Sequence, residues 1–169
     1  MTDQALLQLQ QAAQNHDGFA ITLLGQVMID RFRTDEAIGQ GIKLIDHAAL
    51  DKNVLWAKCL RQYMAKTDAP RLPIANYALV DNDAITQLQL YAEEGNMWAQ
   101  VVLGNLLHQG KTTIQNREEA ARLLCRSVDN GCQWAKELVS HYCISNTRWM
   151  ATQIHRRITD RDSRRYWLK

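Results

Sequence analysis

The chain has 169 residues, 46% of them apolar and 22% charged, with eight glycines, two prolines and a net charge of +2. That is enough for one domain with a substantial core, too apolar for a disordered chain, and too poor in glycine for an array of β-turns. No apolar run approaches the ~20 residues of a membrane-spanning helix. The opening "MTDQALLQLQQAAQNHDG" lacks the basic leader and apolar stretch of a secretory signal. No membrane insertion and a cytoplasmic location are therefore expected.

In chain order, "DQALLQLQQAAQNH" predicts a lone capping helix within residues 1–16. An aromatic-Ala step then occurs four times, as Phe19-Ala20, Trp56-Ala57, Trp98-Ala99 and Trp134-Ala135, at spacings of 37, 42 and 36 residues. Each step opens an amphipathic run, and the first three runs lead through a loop into a second one, the signature of stacked helical hairpins. Residues 17–159 divide into four such hairpins, at 17–51, 52–95, 96–131 and 132–159, with a tail at 160–169. The predicted fold class is all-α: an α-solenoid of about four helical hairpins, nine helices in all, with capping helices and no strand.

The first hairpin pairs "GFAITLLGQVMID" with "TDEAIGQGIKLIDHAAL", capped by Thr34 or Asp35. The second begins with "NVLWAKCLRQYMAK", departs through "TDAPRLPIANYALVDND", which holds both prolines, and returns to helix in "AITQLQLYAEEGN". In the third, "NMWAQVVLGNLLHQG" places Ala99, Val102, Leu103, Leu106 and Leu107 on one face and stops at Gly110. "KTTIQ" is its loop, and Asn116 is the expected cap of "REEAARLLCRSVDN", which ends at Asn130-Gly131. The fourth has "CQWAKELVSHYCI" and then "NTRWMATQIHRRI", capped by Asn146. Trp-Ala-Lys is thus written twice, at 56–58 and 134–136, as the opening of a copied structural unit. Its aromatic serves as filler and its alanine as a close contact between hairpins. Gly25 and Gly104 hold matching mid-helix positions. Glycine there costs ~1 kcal/mol relative to alanine, which close approach of a neighbouring helix would justify.

The run "AQVVLGNLLHQG" from Ala99, followed by a loop, "NREEA" and a closing "NG", resembles the Sel-one-like repeat (SLR), a relative of the tetratricopeptide repeat. The family pattern has Ala, Leu-Gly, an aromatic, Gly-x-Gly-Val, an acid, and later Ala and Ala-x-x-Gly. Here Thr112 replaces the second glycine and Asn116 the acid. Ala20, Leu24 and Gly25 match in the first hairpin, whereas the second and fourth carry Gln62 and Ser140 where glycine is usual. The resemblance implies a stack whose first helices line a concave face. It would place Thr22, Gln26, Cys59, Tyr63, Val101, Asn105, His108, Glu137 and His141 there. It also implies a non-enzymatic scaffold for a protein or peptide partner, such as a regulator, a chaperone or an immunity protein that masks a toxin. Some members are linked to peptidoglycan or β-lactam hydrolysis, which makes an enzyme the alternative. Some secreted members staple each hairpin with a cysteine pair, and Cys125 with Cys132 is similar to that arrangement.

Signals of chemistry are weak. "QGKTT" at 109–113 is similar to the end of a phosphate-binding loop, but position 105 is Asn where that motif needs glycine, and a helix precedes it. Cys125, Cys132, His141 and Cys143 lack the paired spacing of a zinc site. The histidines His16, His47, His108, His141 and His155 share no nucleophile–base pattern. The acids Glu93-Glu94 and Glu118-Glu119 are adjacent in sequence and diverge on a helix. No catalytic residue, metal or cofactor is predicted.

From Asn146 onward seven basic residues face two acids, giving that segment +5 of a total of +2 and leaving −3 on residues 1–145. Arg156, Arg157, Arg161, Arg164, Arg165 and Trp167 could engage an anionic partner, nucleic acid or a membrane surface. A cytoplasmic chain keeps its cysteines as thiols. Titration of the denatured, unreduced protein is therefore expected to find all four cysteines reactive; fewer would mean a disulfide.

Overall fold

Eight helices follow one another in the computed structural model, which describes residues 1–32, 34–67, 80–109 and 114–144. They are α1 (Asp3–Gln14), α2 (Gly18–Val27), α3 (Asp35–Leu50), α4 (Leu55–Thr67), α5 (Asn82–Glu93), α6 (Met97–Gln109), α7 (Ile114–Asp129) and α8 (Gln133–Ile144). No strand occurs among the described residues. The expected ninth helix and its cap Asn146 lie outside them, as do the stop at Gly110 and both prolines.

Each aromatic-Ala step is set up in the same way. Three residues ahead of Phe19, Trp56, Trp98 and Trp134 stand His16, Asn53, Gly95 and Gly131, and these four alone have positive φ among the described residues, at 64°, 54°, 97° and 88°. In three of the turns the next residue's N–H reaches back into the preceding helix: Asp17 to the Ala12 carbonyl, Asn96 to Tyr91, Cys132 to Ser127. This is the glycine-type helix stop, which satisfies the carbonyls that a helix end leaves orphaned. In the second turn the Val54 N–H reaches one residue further, to Ala48. Two of the helices that follow are capped by side chains: Asp17 accepts from the Ala20 N–H at 2.9 Å and Asn96 from the Ala99 N–H at 2.8 Å. Thr34 caps α3 and Asp81 caps α5 in the same fashion.

The repeat packs as its residues demand. Phe19, Trp56, Trp98 and Trp134 are 4%, 1%, 1% and 7% exposed, and the alanine after each is fully buried. Gly25 and Gly41 bring α2 and α3 together backbone to backbone. A Cβ on Gly25 would lie 2.7 Å from the Gly41 carbonyl oxygen, and one on Gly41 would lie 2.6 Å from that of Gly25. At Gly104 a Cβ would meet Leu124 Cγ at 2.9 Å, so the matching glycine serves the α6–α7 contact.

Consecutive helices pack on one another from α1 to α8, and α1 also packs on α8, so the described helices form a closed circuit. The closing seam copies an internal one. In the second hairpin, Gln87 on α5 donates to the Asn53 carbonyl at 3.0 Å and accepts from the Leu55 N–H at 2.8 Å. At the seam, Gln8 on α1 donates to the Gly131 carbonyl at 2.9 Å and accepts from the Gln133 N–H at 2.9 Å. Relative to Trp56 and Trp134 these are the same two backbone groups. The N-terminal helix therefore meets α8 as a second helix meets its first.

Two local expectations are corrected. The third hairpin's first helix, α6, is buried on every side from Trp98 to Leu107, not along one apolar stripe, because α5 and α7 flank it while α2 and α8 also touch it. The next helix begins at Ile114, so Asn116 lies within its first turn instead of capping it.

Replacing Gly25 by Ala is expected to destabilise the protein by about 1–3 kcal/mol, overpacking outweighing the gain in helix propensity. Gly39 lies in the same hairpin with nothing within 4 Å of its would-be Cβ. Gly39→Ala should instead stabilise by up to ~1 kcal/mol. Urea unfolding of the two variants checks both signs.

Candidate functional site

The four first helices α2, α4, α6 and α8 carry the residues predicted for the concave face. Counting from the aromatic, position three holds Thr22, Cys59, Val101 and Glu137, and position seven holds Gln26, Tyr63, Asn105 and His141. An open groove does not exist at the first of these levels. Thr22, Cys59 and Val101 are buried in the core, and the Thr22 hydroxyl donates to the Gly18 carbonyl at 2.8 Å. Burial pushes the Cys59 thiol up. Glu137 is committed to the seam, where its carboxylate accepts from the Thr2 backbone N–H at 2.9 and 3.0 Å and from the Thr2 hydroxyl. Burial alone would raise its carboxyl, but these bonds and the Met1 amino group at 3.2 Å hold it below the ordinary range. Position seven divides: Gln26 is fully buried, Asn105 is buried, Tyr63 is half-buried and His141 is exposed. The physical reason is curvature. With α2 touching α6 and α1 closing on α8, the inner faces meet one another instead of facing solvent.

One opening among the described residues lies at an end of the circuit. A pocket of about 470 Å³ lies where the C-terminal ends of α6 and α8 approach the continuation of α2. That continuation is a π-helical turn, Met28–Phe32, which contributes Asp30 and Arg31 to the pocket wall beside Val27 at the end of α2. Such turns inside α-helices gather at functional sites. Val27, Trp134 and Leu138 supply apolar wall; Asn105, Gln109, His141 and Tyr142 supply polar groups.

The polar groups are cross-braced. The Tyr142 hydroxyl donates to Asn105 Oδ1, and Gln109 Nε2 donates to the same oxygen at 3.0 Å. His108 stacks on the Tyr142 ring with centroids 3.6 Å apart and planes tilted by 31°, and His141 lies 5.9 Å from the same ring. Burial pushes the Tyr142 phenol up, against a smaller opposing effect of Gln109. Burial also pushes His108 below its ordinary range, helped by the positive charges of Arg117 and His141. The His108 Nδ1 is buried with no hydrogen-bond partner. Burial keeps the cluster's one hydroxyl protonated.

Asn105, His108 and His141, from the predicted set, thus meet at this end. Sequence reasoning missed Tyr142, Gln109, Leu138 and the π-turn residues. The Asn105/Gln109 pair at i, i+4 was a readable signal; the turn left none. Cys59, Cys125 and Cys132 are thiols. Among the described residues no cluster of His, Cys, Asp or Glu could hold a metal, and no helix is long and apolar enough to cross a membrane. Arg156, Arg157, Arg161, Arg164, Arg165 and Trp167 lie outside the described residues. Comparison with protein-family models, curated proteins and solved structures gave no match.

A histidine held below its solution value of about 6.5 favours the folded state fully above that value. Its contribution is lost as pH falls from there through the depressed folded value. Between pH 7 and 5 the wild type is therefore expected to lose more stability than His108→Phe, which keeps the stack on Tyr142 without the proton site. Chemical denaturation across that pH range checks the difference, which removes the common titration of the other histidines.

Proposed function

We propose that the chain is a non-enzymatic binding scaffold of the Sel-one-like type, and that it holds a protein or peptide partner at the end pocket rather than along a concave groove. The all-α repeat architecture agrees with that resemblance, and the tight circuit accounts for the move from groove to end. One observation carries the reading: the Tyr142–Asn105–Gln109 brace stands against an apolar wall of Val27, Trp134 and Leu138. Pockets with a mostly apolar lining and a few fixed polar groups are the usual form of a recognition site. A hydrolase needs an activated nucleophile beside a base. The hydroxyl here is pushed toward protonation and spent on a carboxamide, which suits binding.

Filling the pocket by Leu138→Trp, or removing its exposed edge by His141→Ala, is expected to reduce capture of the native partner at least tenfold while helicity is unchanged. Affinity capture from native lysate, quantified by mass spectrometry against the wild type, checks this. Equal capture by wild type and Leu138→Trp would overturn the pocket as the docking point.

A further inference from the structure

Side-chain carboxamides in this protein find partners, some on side chains, as Gln109 does on Asn105, and some on backbone. Gln8 and Gln87 each take a peptide C=O with the amino group and an N–H two residues later with the oxygen. Asn130 donates to the Gly95 carbonyl at 3.3 Å, the equivalent carbonyl in the third hairpin. Gln100 is buried and satisfied too: its amino group donates to the Ala92 carbonyl at 2.9 Å, and its oxygen accepts from Asn130 at 3.2 Å. A carboxamide offers both functions at once, which matches it to a peptide unit.

Gln26 breaks the pattern. Its side chain is fully buried, and both Nε2 and Oε1 lack any hydrogen-bond partner. Leaving buried polar atoms unmet destabilises a fold, so an unmet pair held in the core calls for an explanation. The location supplies one. Gln26 lies beneath the surface and is not itself part of the pocket wall; it directly precedes Val27, which is, and it occupies on α2 the register position that Asn105, another wall, occupies on α6. The two helices touch, and the π-helical turn that shapes the pocket begins two residues after Gln26.

We propose that Gln26 is the inner end of the binding site and that its ligand is the backbone of an extended peptide segment. This rests on the pocket reading above and adds to it the chemistry of what is read. The segment enters through the end pocket beside Val27. The Gln26 carboxamide then takes one backbone C=O and one N–H, as Gln8 and Gln87 do within the chain, while the Tyr142–Asn105–Gln109 brace faces the residues behind. Recognition of this kind favours peptide over ligands without an amide and tolerates variation in side chains.

The test uses the intact protein and an equimolar mixture of N-acetylated, C-amidated tetrapeptides as the probe. Binding is followed by NMR through the side-chain amide signals, and thermal unfolding is run in parallel on wild type, Gln26→Leu and Gln26→Met. The expected result is that peptide shifts the Gln26 amide signals and that both variants bind at least tenfold more weakly, about the value of one such contact. Both variants should meanwhile keep or raise the Tm, because an apolar side chain of similar shape removes the unmet polar atoms. A marked fall in Tm in both variants would mean that Gln26 is satisfied internally, for instance by a buried water, and would overturn the inference. Undiminished peptide binding by the variants would overturn the role of Gln26 and leave the end pocket standing. Absence of peptide binding by the wild type would remove both.

Discussion

A left-handed residue placed three positions ahead of an aromatic-Ala step is the constraint on which the structure rests. At His16, Asn53, Gly95 and Gly131 the chain leaves one helix, turns, and enters the next with the aromatic aimed inward. Two of these residues are glycine, for which the conformation is free, and the other two are His and Asn, which accept it at modest cost. Because the reversal is the same each time, the alanine that follows always meets a neighbouring helix, and the large ring always fills the space between hairpins. The carboxamides of Gln8 and Gln87, and that of Asn130, then fasten onto the turn itself. Backbone geometry, packing and hydrogen bonding repeat in one register.

Much of this was legible before any coordinates. The four aromatic-Ala steps gave the repeat, and Gly25 and Gly104 were expected at close helix contacts, where they stand. Of the two caps read for α3, Thr34 or Asp35, Thr34 is the one that caps it. What the sequence could not reveal was the amount of curvature. Helical periodicity reports which face of a helix is apolar, and α6 contains enough polar residues, Gln100 and Asn105 among them, to look half-solvated. Those amides are buried because their hydrogen bonds are met by distant groups, Ala92 and Asn130 for one and Gln109 and Tyr142 for the other. A polar residue satisfied in the core cannot be told from an exposed one by its letter.

The same limit explains the mixed outcome for the site. Positions three and seven after each aromatic turn toward the inner faces of the first helices and end at different depths. The closed circuit sorted them by depth: Thr22, Cys59 and Val101 became core, Glu137 became part of a seam, and Asn105 and His141 reached the end pocket. Depth depends on contacts between residues more than a hundred positions apart, such as Gln8 with Gln133. The widened turn at Met28–Phe32 contains no glycine or proline that would mark it in the sequence.

Closure also fixes a number. An open stack of hairpins is indifferent to length, since each unit touches only its neighbours and another can be added at the end. Here α1 docks on α8 with the grip that Gln87 has on the second hairpin, so the first described helix behaves as the partner of the last. Inserting or deleting one hairpin would move α8 away from Gln8 and break the two bonds that close the described circuit, so its count of hairpins is held constant by geometry.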